Sequence, residues 1–219
     1  WGELLSAGTD GCHLRMHLDG QQWELRSPLV GAFNASNLLS VQALALELGL
    51  MPDDLRHLED FHGVCGRLER VPNARKLHVF VDYAHTPDAL VNVLKALRGA
   101  GFKRIVTVFG CGGNRDRTKR PIMGEAVARY SDVAVLTSDN PRFEDPEAIL
   151  EDVLPGLREA REVVVEVDRR KATARAVEML GPDDALLIAG KGHEDYQIIQ
   201  GTKHHYSDQE VVRELLGCA

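Results

Sequence analysis

Asp139, Asn140, Pro141 and Arg142 come directly after an apolar run that ends at Leu136, separated from it only by Thr137 and Ser138. An acid, an amide and a guanidinium on one short loop suit a ligand that carries both signs of charge. Pro141 holds Asn140 in extended backbone and removes one amide donor. That stiffens the loop and fixes the direction of Arg142, whose planar fork suits bidentate capture of a carboxylate or phosphate. Further on, Lys191, His193, Glu194 and Asp195 crowd the stretch "GKGHEDYQ" (190–197) after another apolar run. Asp139 and Glu194 supply negative charge for an ammonium, so the two loops together suit a zwitterion such as an amino acid. The plainer readings are an internal Asp–Arg ion pair in the first loop and a charged turn in the second.

Two more loops carry chemistry. "DYAHTP" (82–87) closes one apolar run and "GCGGNRDRTKRP" (110–121) another. His85, beside a strand-end acid and just before a helix start, suits contact with a phosphate or ribose, although a lone histidine is more often structural. Gly110, Gly112 and Gly113 form a tight turn or admit a ligand. Arg115, Arg117, Lys119 and Arg120 outweigh Asp116, and such a charge run is usually a solvated face. "GCGGNR" fails the GxGxxG pattern at its sixth position, which counts against a dinucleotide-dependent dehydrogenase.

Regular elements must position these loops. Short apolar runs at 77–82, 104–109, 133–137, 163–167 and 185–189 read as buried strands, with helical patterns between them. That alternation predicts an α/β fold with a mostly parallel, doubly wound sheet. Ligands of such sheets bind outside the carboxyl ends of the strands, so the four loops converge on one edge. Asp168-Arg169-Arg170, after the fifth run, reads as an ordinary helix start. Leu90, Val93, Leu94 and Leu97 share one helical face, as do Leu150, Val153, Leu154 and Leu157. Thr86-Pro87 and Asp145-Pro146 are capped starts, and Ser207 with Glu210 makes a capping box. Upstream, 12–18 and 22–29 alternate around Asp19-Gly20 as a hairpin. Residues 34–49 form a helix that is apolar nearly all round, closed by Gly49 and expected to be well buried. A second helix follows Pro52, and 63–76 is the expected domain boundary.

The bulk numbers exclude several classes. The net charge of −7 over 219 residues gives no electrostatic support for nucleic-acid binding. No apolar stretch approaches the ~18 residues of a spanning helix, and no signal peptide is visible. Cys12, Cys65, Cys111 and Cys218 form no CxxC pair, so neither a metal site nor a disulfide framework is expected, and a reducing, cytoplasmic setting fits. The chain opens at Trp1 rather than Met and reads as a piece of something longer.

Six motifs in order, "GAFNASN", "CGRLE", "DYAHTPDAL", "VFGCGGNRDRTKRP", "SDNPRFEDP" and "GKGHEDYQ", resemble the Mur ligases of peptidoglycan synthesis, and within them the MurE type. The resemblance runs from about residue 31 to the end. It implies that residues 1–70 are the tail of a central ATPase domain and 71–219 a Rossmann-like C-terminal domain that receives the incoming amino acid. It implies ATP and Mg²⁺ in the full-length enzyme, a UDP-N-acetylmuramoyl dipeptide as the other substrate, and a monomer. ATP converts the dipeptide carboxylate to an acyl phosphate, which the amino group of the third residue attacks. DNPR resembles the variant that selects meso-diaminopimelate over lysine, because Arg142 pairs with a far carboxylate that lysine lacks. Left buried and unpaired with lysine, it would cost on the order of 1–3 kcal/mol. Carried over by motif, Arg115, Asp139, Asn140, Pro141, Arg142, Gly190 and Glu194 bind diaminopimelate. Asn34, Asn37, Arg67, Asp82, His85 and Lys119 surround the nucleotide, with Asp82 on the ribose and Arg67 and Lys119 near phosphate. No GxxxxGK[ST] loop is present, so the main catalytic groups are expected outside this chain and the fragment is expected to be inactive alone. A lysine-adding relative, a folylpolyglutamate synthase and a stand-alone amino-acid-binding module are the alternatives. Arg142 argues against the first, and DNPR together with GKGHED against the second.

Overall fold

The computed structural model describes residues 1–18 and 20–217. Asp19, half of the expected hairpin turn, and Cys218 lie outside the described residues. The chain divides into two compact units. One comprises Trp1–Gly63 with Ala96–Phe102, and the other Val64–Lys95 with the described residues from Lys103 onward.

In the first unit, β1 (Gly2–Gly8), β2 (Gly11–Leu18) and β3 (Gln21–Ser27) form an antiparallel sheet in that order. Alternation buries Cys12, Leu14 and Met16 of β2 on one face. Leu14, Met16 and Leu25 pack with Ala35 and Leu38 of helix α1 (Ala32–Glu47). Contrary to the expectation of a helix buried all round, α1 buries one stripe, Ala35, Leu38, Gln42 and Ala45, while Leu44 is 63% exposed. The sheet contacts only one side of the cylinder, and apolar residues elsewhere stay in solvent. A 3-10 helix at Asp54–Asp60 takes the place of the expected second helix.

The second unit holds β4 (Glu69–Arg70), β5 (His78–Asp82), most of α2 (Pro87–Gly99), β6 (Ile105–Phe109), α3 (Lys119–Tyr130), β7 (Val133–Leu136), α4 (Pro146–Val153), β8 (Val163–Val165), α5 (Arg169–Glu178), β9 (Ala185–Ala189), β10 (Tyr196–Ile199), β11 (Thr202–His205) and α6 (Asp208–Leu216). Its sheet runs β4-β5-β9-β6-β7-β8, parallel except for β4. The last long strand, β9, inserts between β5 and β6, so the loops after these three strands leave the sheet side by side. Val79, Val81, Val106, Val108, Val133 and Val135 face Ala172, Ala176 and Val212 of α5 and α6. α3 packs on β7 with Met123 and Val127 buried outside that cluster. Helices therefore cover both faces, as the alternating pattern requires.

Local chemistry explains where elements end. Asp145 and Asp168 cap α4 and α5 by accepting from the Glu147 and Lys171 amides. α4 stops at Val153 because Pro155 cannot continue it, and Leu154, expected on the buried face, is exposed in the 3-10 turn that follows. β8 is an edge strand with Val163 and Val165 exposed, so its apolar run does not mark full burial. The capping box is half made. Ser207 accepts from the Glu210 amide, but the Glu210 carboxylate pairs with His205 at 2.6 Å.

Candidate functional site

The loops after β5, β6, β7 and β9 converge on a cavity of about 350 Å³ at the carboxyl edge of the sheet. Arg115, Asp139, Asn140, Arg142, Gly190 and Glu194 all line it, and so do His85 and Lys119. Pro141 does not. It is buried behind the wall, where its carbonyl accepts from the Glu144 amide.

One wall is built from the β7 and β9 loops, and its centre is a lysine. Lys191 is fully buried. Its ammonium donates to Asp139 Oδ1 at 3.3 Å, Asn140 Oδ1 at 3.1 Å and the Tyr196 carbonyl at 2.8 Å. Burial lowers its pKa, and the Asp139 charge opposes that shift. Asn140 Oδ1 also accepts from the Ile198 amide, which turns Nδ2 toward Glu194 Oε2 at 3.0 Å. Gly190 has φ +116, and a Cβ there would sit 2.6 Å from Asp139 Oδ2. Behind β9, Arg169 is buried against Asp208 with contacts of 2.9 and 2.8 Å and donates to the Ala189 carbonyl at 3.0 Å.

Arg142 adopts φ +56, and β10 with the residue after it holds its backbone through Arg142 N to Ile198 O and Gln200 N to Arg142 O. Its Nη1 donates to the Gly113 carbonyl at 2.7 Å. The side chain is half-buried rather than buried, and this bond occupies one donor of the fork while leaving the rest for a ligand. The acid of the loop thus pairs with Lys191, and no Asp139–Arg142 pair forms among the described residues.

The other wall is the β6 loop and the start of α3. Gly113 N donates to Asn140 O, and a Cβ on Gly113 would collide with the Pro141 carbonyl, so the two loops zip together. The charge run expected to be a solvated face splits. Arg120, 2% exposed, bonds Asp152 at 2.7 Å and Glu144 at 2.9 Å. Arg117 joins Asp152. The Asn114 amide and then Arg120 hold the Glu144 carboxyl below its usual range, while Arg120 and then Arg117 do so for Asp152. Arg115 and Lys119 make no side-chain hydrogen bond or ion pair among the described residues, and both line the cavity.

The residues expected around a nucleotide are less uniform. Asp82 lies outside the cavity lining. Its carboxylate accepts from the Leu68 and Ala84 amides at 2.6 and 2.7 Å, and burial pushes its pKa up against those two bonds. Arg67 is exposed, its guanidinium 5.0 Å from the centre of the Tyr83 ring. His85 Nδ1 donates to the Tyr83 carbonyl at 2.7 Å, leaving Nε2 for a partner. Asn34 and Asn37 belong to the other unit, on α1, where Asn34 donates to Val30 O and accepts from Asn37.

Residues 66–192, more than half of the chain, match the family described as Mur ligase, glutamate ligase domain. The chain belongs to the Mur ligase family. It is 61% identical over its whole length to the UDP-N-acetylmuramoyl-L-alanyl-D-glutamate–2,6-diaminopimelate ligase of Lawsonia intracellularis, of which it covers 45%. It is 47% identical to the ligase of the same name from Aquifex aeolicus, over 98% of this chain and 45% of that one. A solved structure of a ligase of this name superposes with a TM-score of 0.77 at 37% identity, covering 97% of this chain and 44% of that one. The chain spans less than half the length of these relatives.

In this Mur ligase chain, three buried cations around the cavity escaped the sequence reading as structural parts: Arg120, Arg169 and Lys191. A signal for the first two was present. Arg120 is in helical register with Met123, Gly124 and Val127, and Arg169 with Ala172, Thr173 and Ala176, all buried. An arginine on an apolar helical face is a buried arginine that needs carboxylates. No helix among the described residues is long and apolar enough to cross a membrane.

Proposed function

We propose that this chain is the part of a MurE-type ligase that receives meso-diaminopimelate, and that the longer protein joins it through an amide bond to UDP-N-acetylmuramoyl-L-Ala-D-Glu in the cytoplasm. The observation that carries the reading is the charge layout of one cavity. The remaining Arg142 donors and Arg115 face the same space as Asp139 and Glu194. A diamino diacid presents a carboxylate and an ammonium at its far end, and a fork beside a carboxylate pair complements both. The near end then carries the amino group that attacks. The wall residues bind and orient that group by holding the far end in a fixed place, which is how positioning speeds a bimolecular step.

ATP is the co-substrate in this reading and supplies the phosphoryl group that activates the dipeptide carboxylate. Within the second unit, Lys119, the free Nε2 of His85 and the exposed Arg67 suit phosphate or ribose, while Asp82 suits them less because backbone amides already occupy both its oxygens. No group of three or more His, Cys, Asp or Glu among the described residues is placed to hold a metal ion.

Calorimetric titration of the chain with meso-diaminopimelate and with L-lysine tests the reading. Diaminopimelate is expected to bind and lysine to bind at least about 10-fold more weakly, because lysine leaves the Arg142 fork without its carboxylate. Arg142→Ala is expected to weaken diaminopimelate by roughly 10–100-fold and lysine hardly at all. Equal affinity for the two ligands, or an Arg142→Ala chain that still prefers diaminopimelate, would overturn the assignment.

A further inference from the structure

We propose that Lys191 is a positioning residue that creates the seat for the second ammonium of a diamino diacid, an inference that rests on the reading of the cavity given above. Lys191 is fully buried and absent from the cavity lining, so it acts only through what it holds. Its three N–H bonds meet three acceptors: Asp139 Oδ1, Asn140 Oδ1 and the Tyr196 carbonyl. A neutral amine has two N–H bonds and would leave one acceptor open, so the geometry calls for the ammonium form.

The consequences reach the cavity by two routes. Lys191 occupies Oδ1 of Asp139, which leaves Oδ2 beside Gly190, where only a glycine gives it room. Lys191 and the Ile198 amide together fix the Asn140 amide with its oxygen inward, which sends Nδ2 to Glu194 Oε2 and, with the Tyr196 hydroxyl, holds that carboxylate at the cavity wall. With Arg142 of the same wall set against the far carboxylate, the ammonium seat itself has two negative charges from Asp139 and Glu194 and one positive charge from Lys191. One excess negative charge remains between two fixed carboxylates, which matches a single ammonium. Without Lys191 the buried Asp139 carboxylate lacks its counter-charge, and the Asn140 amide loses one of the two donors that set its orientation.

The test compares meso-diaminopimelate with 2-aminopimelate, which keeps both carboxylates and has one amino group, by calorimetry on the chain. The wild-type chain is expected to prefer diaminopimelate by about 10-fold or more. Lys191→Met should remove most of that preference: diaminopimelate weakens by about 10-fold while 2-aminopimelate changes by less than about 2-fold. Because Lys191→Met leaves a buried carboxylate unpaired, Lys191→Met/Asp139→Asn serves as the second variant. It buries no uncompensated charge and should unfold near the wild-type midpoint while binding the two ligands alike. Parallel loss of both ligands in Lys191→Met, or a preference that survives that single substitution, overturns the role of Lys191 while the cavity reading stands. A wild-type chain that binds neither ligand removes the cavity reading, and this inference with it.

Discussion

The two walls of the cavity carry similar residues and use them differently. On the β7–β9 wall the lysine is internal: Lys191 is sealed behind Asp139 and Asn140, and Arg142, which reaches the cavity, is tethered at one nitrogen. On the β6–α3 wall Arg120 is internal, bound by Glu144 and Asp152, while Arg115 and Lys119 stand in the opening without a partner among the described residues. Each wall thus contains a cation committed to structure and cations left for a ligand. The difference lies in the acids. Those of the first wall also face the cavity and can serve a ligand. Glu144 and Asp152 of the second do not line it, and its lining acid Asp116 is outnumbered by Arg115 and Lys119, so that wall presents excess positive charge. The first suits an amino acid and the second an anion.

If burial separates structural from ligand-facing cations, stability should follow it. The largest effect is expected at Arg169, which braces the first wall through the Ala189 carbonyl. Arg169→Met leaves Asp208, itself fully buried, without a counter-charge. The expected loss is about 3–5 kcal/mol in urea or thermal unfolding. Arg169→Met/Asp208→Leu should recover most of it, since replacing a buried pair with apolar groups is often neutral. A single variant as stable as wild type would break the comparison at its strongest point.

Arg120→Met should cost less, about 1–3 kcal/mol, because Glu144 and Asp152 are partly exposed and can be rehydrated. The pH dependence sharpens the point. Both carboxylates have folded-state pKa values below their ordinary 4.5 and 3.8. Their contribution is therefore fully present above about 4.5 and is lost as pH falls through the lowered values. Removing Arg120 takes away a cause of that lowering in each, so the variant should lose stability less steeply below pH 4.5 than wild type. Matching acid slopes would show that Arg120 is not what holds these carboxylates.

The fold was legible where the chain obeys its periods. The five apolar runs lie on the five parallel strands, and the loops that follow four of them do meet. β1 was not legible because a register shift between Leu4 and Ser6 breaks its alternation. The β10–β11 hairpin was missed because its strands are four residues each and none of their residues is fully buried; its signal was Gln200-Gly201, both at positive φ. The site was legible as a set of loops and residue types, since eight of the expected residues share the cavity. What the sequence could not assign is which charge is already taken. Asp139 pairs with Lys191 from a loop more than fifty positions away, and Arg120 with acids on another helix and loop. Those choices depend on which loops the parallel sheet sets side by side, and period and composition carry no record of them.

Lys119 gives the smallest and most discriminating effect. It sits one residue before Arg120, on the same turn of α3, with the opposite fate: exposed and unpaired among the described residues. Lys119→Ala should leave unfolding within about 0.5 kcal/mol of wild type, as expected of a surface site with no partner. Its effect should appear in anion binding instead. Nucleotide or inorganic phosphate affinity should fall by a few-fold at low salt, and the difference should shrink as ionic strength rises and the Debye length falls to about 8 Å near 0.15 M. Diaminopimelate affinity should barely move, because Lys119 is not among the residues set against that ligand. A Lys119→Ala chain that is destabilised as much as Arg120→Met would mean that neighbouring cations on this helix share one structural role, and that burial does not divide them. Unchanged stability with a salt-sensitive loss of phosphate binding would instead show that one helical turn carries both a brace and a ligand contact, separated only by which side of the helix each side chain occupies.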